Sequence, residues 1–157
     1  MRKHRGFSLI ELLIVVAIIL IIAAIAIPNL LRSKMAANEA SAISSMRTIN
    51  TSEVTYNSVY GVGYTDMSKL GSPTSGTCVA TVGQACLLDP VLTTGTKSGY
   101  TFDATAAAGV PPSDYSAHGT PITVGSTGQR SFFTDTTGVI RFQPSGATAA
   151  VTDNPIQ

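Results

Sequence analysis

From Phe7 to Ile27 the chain is apolar at every position but two, Ser8 and Glu11. No feature constrains the fold more. A run of 21 residues, wound as a helix at about 1.5 Å per residue, matches a hydrocarbon core of about 30 Å. It is greasy on every face, so it suits an environment of lipid or of neighbouring helices rather than one side of a soluble core. The remainder is rich in Thr, Ser, Gly and Ala, and only 12% of all residues are charged. A chain of 157 residues holds one domain plus this N-terminal segment.

Charge orients the segment. Arg2, Lys3 and Arg5 precede it, which leaves seven basic residues against nine acidic ones elsewhere, a net of −2. Basic residues ahead of an apolar span place the N-terminus in the cytoplasm and the body outside, a signal that Arg32 and Lys34 weaken slightly. The weakly acidic body has no electrostatic footprint for nucleic acid. In an exported body, Cys78 and Cys86 pair as one disulfide, which stabilises by roughly 2–3 kcal/mol in the loop-entropy account. Their spacing is not that of a redox or zinc motif.

Two readings of the N-terminus compete. A secretory signal peptide has a basic start, an apolar stretch and a small-x-small site, here Ala24-Ile25-Ala26, so that the mature chain would begin near Ile27. Against it stand the length of the run and Glu11, because an ionised carboxylate inside a membrane span costs about 2.5–3.5 kcal/mol on insertion scales. A signal sequence needs only greasiness. A retained, functional segment gives Glu11 a reason to exist.

The stretch "RGFSLIELLIVVAIILIIAAIAIP" resembles the class III signal segment of type IV pilins and type II secretion pseudopilins, over roughly Lys3 to Ala40. The resemblance implies that a prepilin peptidase cuts between Gly6 and Phe7 and methylates the new amino group of Phe7. Gly6, without a side chain, lets the backbone lie extended against catalytic groups. Residues 1–6 are then a discarded leader, and residues 7–28 a membrane helix that later becomes an assembly helix. Glu11 would meet the Phe7 amine of a neighbouring subunit, and Pro28 marks a kink or local unwinding. The implied partners are further copies of the chain in a homopolymer, the peptidase, the membrane before assembly, and an inner-membrane assembly platform with its ATPase. The chain is then an inner-membrane protein with its head outside, and later part of an extracellular pilus. A secretion pseudopilin is the alternative within the family; a signal-anchored or secreted binding protein that never polymerises is the alternative outside it.

Residues 29–60 read as the amphipathic half of the same helix. Leu31, Met35, Ala42, Ile43, Met46 and Ile49 form one stripe at 100° per residue, with Val54 and Tyr56 near its edges. Glu53 falls on the stripe, where burial is expected to stop. The resulting helix, from Phe7 to about Asn57, is roughly 75 Å long. The Asn50-Thr51-Ser52 sequon is read as accidental.

Residues 61–157 form a head, with a long connection over 61–98, a helical turn within Ala85–Leu92, and an antiparallel sheet over 99–143. Strands are expected at Tyr100–Thr105 and Tyr115–His118, with Ile122–Val124 as an extension. A hairpin pairs Ser131–Phe133 with Val139–Phe142 around a turn closed by Gly138. Ala147–Gln157 reads as a flexible end. The fold class is α+β, a long helix packed on a small antiparallel sheet in a pilin-like roll. Many family members carry their disulfide near the C-terminus, so no adhesive role is transferred to the Cys78–Cys86 loop. Asp114 and His118 have no nucleophile elbow beside them, and His118 is taken as a surface-loop histidine. Asp135 and Asp153 are the weak candidates for calcium. No metal, no cofactor and no enzymatic activity is expected.

Overall fold

The computed structural model describes residues 7–73 and 76–156. Gly6 and the basic leader residues lie outside them. Among the described residues there are three helices, α1 (Leu9–Tyr60), α2 (Met67–Leu70) and α3 (Pro90–Thr93). The six strands are β1 (Thr96–Lys97), β2 (Tyr100–Ala106), β3 (Tyr115–Pro121), β4 (Ser131–Asp135), β5 (Arg141–Gln143) and β6 (Asn154–Pro155). The chain divides into two compact units, residues up to Lys34 and residues from Met35 onward.

In the first unit α1 is apolar on all sides from Leu12 to Ile27, and its large apolar side chains from Leu9 to Ile27 are exposed, from 45% at Val16 to 80% at Leu9. By length and composition it is able to cross a membrane. In the single chain the helix continues through Pro28. The ring removes one donor, the partner of the Ala24 carbonyl.

In the second unit the sheet is an antiparallel meander in the order β1-β2-β3-β4-β5-β6. Tyr100, Phe102 and Ala104 of β2 and Tyr115 and Ala117 of β3 point inward, joined by Phe132 of β4 and Ile140. They pack on Ala42, Met46, Ile49 and Tyr56 of α1, which confirms a helix laid on a sheet. Burial does not stop at Glu53, however. That carboxyl is fully buried, Tyr56 beyond it is 2% exposed, and Val54 faces out. The cover comes from the chain after α1, whose Thr65 N–H donates to Glu53 Oε2 at 3.1 Å.

The hairpin forms with Phe132 opposite Phe142 and Phe133 opposite Arg141. Gly138 takes the left-handed conformation (φ 70°) that the turn requires. Three expectations for the head need correction. The sheet runs from Thr96 to Pro155 rather than over 99–143, because two short edge strands flank it. Ile122–Val124 does not extend β3: Thr123 lies in a turn whose carbonyl accepts from Ser126 and Thr127 N–H. The C-terminal segment is docked, not free. The Ser131 hydroxyl donates to the Ala147 carbonyl, Ala149 is 1% exposed, and Ile156 N–H donates to the Ile140 carbonyl at 2.8 Å. This tail covers the outer face of β4 and supplies β6, which is why all five β4 residues are buried.

Candidate processing and assembly site

The described part of the site begins at Phe7, whose side chain is 77% exposed. Ser8 precedes the first helical residue, and its backbone N–H donates to Glu11 Oε2 at 2.9 Å. The Ser8 carbonyl accepts from Leu12 N–H, the first turn of α1. Ser8 is therefore the N-cap and Glu11 sits at the third helical position, reaching back as in half of a capping box. A carboxylate here also faces the positive end of the helix dipole. The sequence carries this signal openly as Ser-x-x-Glu. The geometry adds an intrachain role: in the single chain its own backbone satisfies one carboxylate oxygen.

Cys78 and Cys86 are joined, eight residues apart with their Cα atoms 6.1 Å from each other. Between them Thr81 and Gln84 exchange backbone hydrogen bonds around a tight turn. The loop is anchored on three sides. Tyr56 donates its hydroxyl to the Val82 carbonyl at 2.8 Å, Ala85 N–H to Lys69 and Leu87 N–H to Leu70. The helical turn expected within Ala85–Leu92 forms later, as α3 from Pro90 to Thr93, capped by the Asp89 carboxylate accepting from Leu92 N–H.

No catalytic arrangement assembles from the residues considered. His118 is not in a loop; it lies within β3, directly opposite Asp103 of β2, with Nδ1 3.2 Å from Oδ2 and its ring against Phe133. Asp114 instead accepts from the Thr136 hydroxyl. Asp135 accepts from Thr137 N–H in its own turn, and Asp153 accepts from Ala150 N–H. Among the described residues no group of three or more His, Cys, Asp or Glu is placed to hold a metal ion. The Asn50 side chain is occupied in packing: its Oδ1 accepts from the Tyr115 and Thr134 hydroxyls.

A polar anchor the sequence reading missed is Glu39. It is 9% exposed. Its Oε1 accepts from the backbone N–H of Gln129 and Arg130 at 2.9 and 3.2 Å, and its Oε2 from Arg130 Nε at 2.8 Å. Burial works against the charge, but these donors and the guanidinium outweigh it and hold the carboxyl below its ordinary range. The Arg130 guanidinium in turn lies over the Phe132 and Phe142 rings.

Residues 1–27 match a family described as the prokaryotic N-terminal methylation motif. The chain is 62% identical over 39 residues to the type IV wide pilus major component PilA4 of Thermus thermophilus, covering 25% of this chain and 30% of that protein. It is 43% identical over 54 residues to the type IV major pilin protein PilA of Myxococcus xanthus, covering 34% of this chain and 24% of that one. The matches thus span less than a third of the length of either relative. No solved structure matches the chain. The chain carries the N-terminal methylation motif and is homologous over these segments to type IV pilins.

Proposed function

We propose that this chain is a structural subunit of a type IV pilus and not an enzyme. The observation that carries the reading is the methylation motif over residues 1–27, continuous with a helix whose apolar side chains are exposed on every face. Before assembly that helix anchors the subunit in the inner membrane, N-terminus inward and head outside. A prepilin peptidase cleaves after Gly6 and methylates Phe7. An ATP-driven platform then extracts the subunit, and the helices exchange lipid for one another in a non-closing, head-to-tail array. Both relatives are named as pilus components, which supports a pilus over a secretion pseudopilus.

Within this reading Glu11 serves twice. In the single chain it caps α1 through Ser8; in the filament it pairs with the Phe7 amine of a neighbour and selects one axial register. Left ionised and unpaired among apolar helices, it would cost about 2.5–3.5 kcal/mol. Mass spectrometry of the mature protein tests the processing: N-methylated Phe7 is expected, and a start near Ile27 refutes the reading. Two variants separate the roles of the acid. Glu11→Gln keeps a side-chain acceptor for the cap but loses the charge, and Glu11→Val loses both. Both are expected to be inserted and cleaved yet to fail in assembly, and normal filaments from Glu11→Gln refute the charge pairing.

A further inference from the structure

Among the described residues two side chains bury a polar atom without a hydrogen-bond partner, Arg141 and Glu53, and only Glu53 is an acid. It is fully buried on α1, its Oε2 accepts one hydrogen bond from Thr65 N–H, and its Oε1 has no partner. Thr65 belongs to the connection 61–66, which is pinned at three successive residues. Tyr64 N–H donates to the Pro112 carbonyl, Thr65 N–H to Glu53, and the Asp66 carboxylate accepts from Ala106 N–H. The connection thus bridges α1 to the β2–β3 loop, and the Tyr64 ring packs 5.0 Å from that of Tyr115.

The groups facing Glu53 share one character. From the connection comes Asp66, a like charge, and from β3 comes the Tyr115 phenol, which the Glu53 charge itself helps keep neutral. No cation among the described residues offsets it. Glu39, two heptads earlier on the same helix, has its guanidinium; Glu53 has only one backbone N–H. Burial pushes the Glu53 carboxyl up to about 7, against the pull of Thr65 N–H, and Asp66 adds to the rise. An ionised carboxylate enclosed in this way is relieved by exposure to water, and the nearest cover is the connection itself.

We propose that Glu53 is a proton-controlled latch: protonated, it holds the connection 61–66 closed over α1, and ionised, it releases that connection to solvent. Opening exposes the Tyr64–Tyr115 pair and frees the β2–β3 loop at Pro112, so the surface at this end of the head changes with pH. The proposal does not depend on the filament reading.

Hydrogen exchange of the full chain in detergent tests it, read as protection factors for the Tyr64 and Thr65 amides. With the closed carboxyl at about 7 and the open one near its ordinary 4.5, opening grows about tenfold between pH 6 and pH 8. Glu53→Gln is expected to hold the protection of both amides within about twofold across the same range. A flat wild-type profile overturns the latch, as does a tenfold fall that survives in Glu53→Gln. Protection at 61–66 equal to that of β2–β4 at both pH values also overturns it, because the connection would then open only with the whole head. Should Glu53→Gln lose its helical circular dichroism, Asp66→Asn carries the test. It keeps the acceptor for Ala106 N–H and removes the like charge, which brings the closed carboxyl back toward its ordinary range, so the rise in opening between pH 6 and pH 8 must shrink below tenfold, and an undiminished rise overturns the proposal.

Discussion

Replacing Glu39 with Ala removes the acceptor for two backbone N–H groups and for the Arg130 guanidinium. The guanidinium side chain is 36% exposed and recovers water, so its loss is modest. The Gln129 and Arg130 amides lie under a side chain that is 11% exposed, and a truncated methyl leaves them facing apolar surroundings. A buried donor left without a partner costs about 1–3 kcal/mol, so the pair puts the loss near 3 kcal/mol. For a head of this size that lowers the melting temperature by about 10 °C. Glu39→Gln separates the contributions. Its amide oxygen still accepts from both N–H groups, while the charge-assisted bond to Arg130 Nε is lost, for a cost of about 1–1.5 kcal/mol. Thermal unfolding of the full chain in detergent, followed by near-ultraviolet circular dichroism of its tyrosines, measures both. The pH sense follows from a carboxyl held below its ordinary 4.5. The folded protein binds this proton less readily than the unfolded chain, so the stabilisation is present above 4.5 and is lost as pH falls through the folded value. Glu39→Gln flattens that acid limb. A loss under about 1 kcal/mol for Glu39→Ala, or equal losses for Ala and Gln, would refute the role given to the two amides.

Gly128→Ala places a methyl 2.6 Å from Tyr100 Cζ and 2.7 Å from Cε2, against a ring that is fully buried and hydrogen-bonded to the Arg130 carbonyl; overpacking of this kind costs about 1–3 kcal/mol, seen as a lower denaturation midpoint. Joint replacement of Cys78 and Cys86 by Ser is expected to cost roughly 2–3 kcal/mol, and thermal melts of the wild type under reducing conditions should fall by the same amount. Ending the chain at Gln143 uncovers Ser131 and Phe133 and bares the β5 edge, so the truncated protein is expected to melt earlier and to aggregate, as judged by light scattering.

The helical half of the head was written more plainly than a search for apolar residues could read. Six of its eight buried positions, Glu39, Ala42, Met46, Ile49, Glu53 and Tyr56, recur at alternating intervals of three and four, an unbroken helical stripe that Ser45 and Ser52 widen. Apolar identity does not mark the two acids, so Glu53 reads as the end of burial and Glu39 passes unnoticed. The period placed them inward; what no period supplies is the donor. For Glu39 the donors come from about 90 residues away, in the loop before β4. The hairpin at Gly138 was legible because its turn chemistry is local. The tail was not, since its Ala, Thr, Asn and Pro residues have little hydrophobic signature and it is held by backbone bonds to Ile140 and the Ser131 hydroxyl. At the N-terminus the same limit recurs in reverse: Ser8 and Glu11 spell a cap, and the acid's partner in the single chain is the Ser8 N–H three residues back. In each case the missing information was the partner of a polar group. Such partners set the two head acids on opposite courses, for the one met by a guanidinium and two amides is held below the ordinary carboxyl range, and the one met by a single amide is pushed above it.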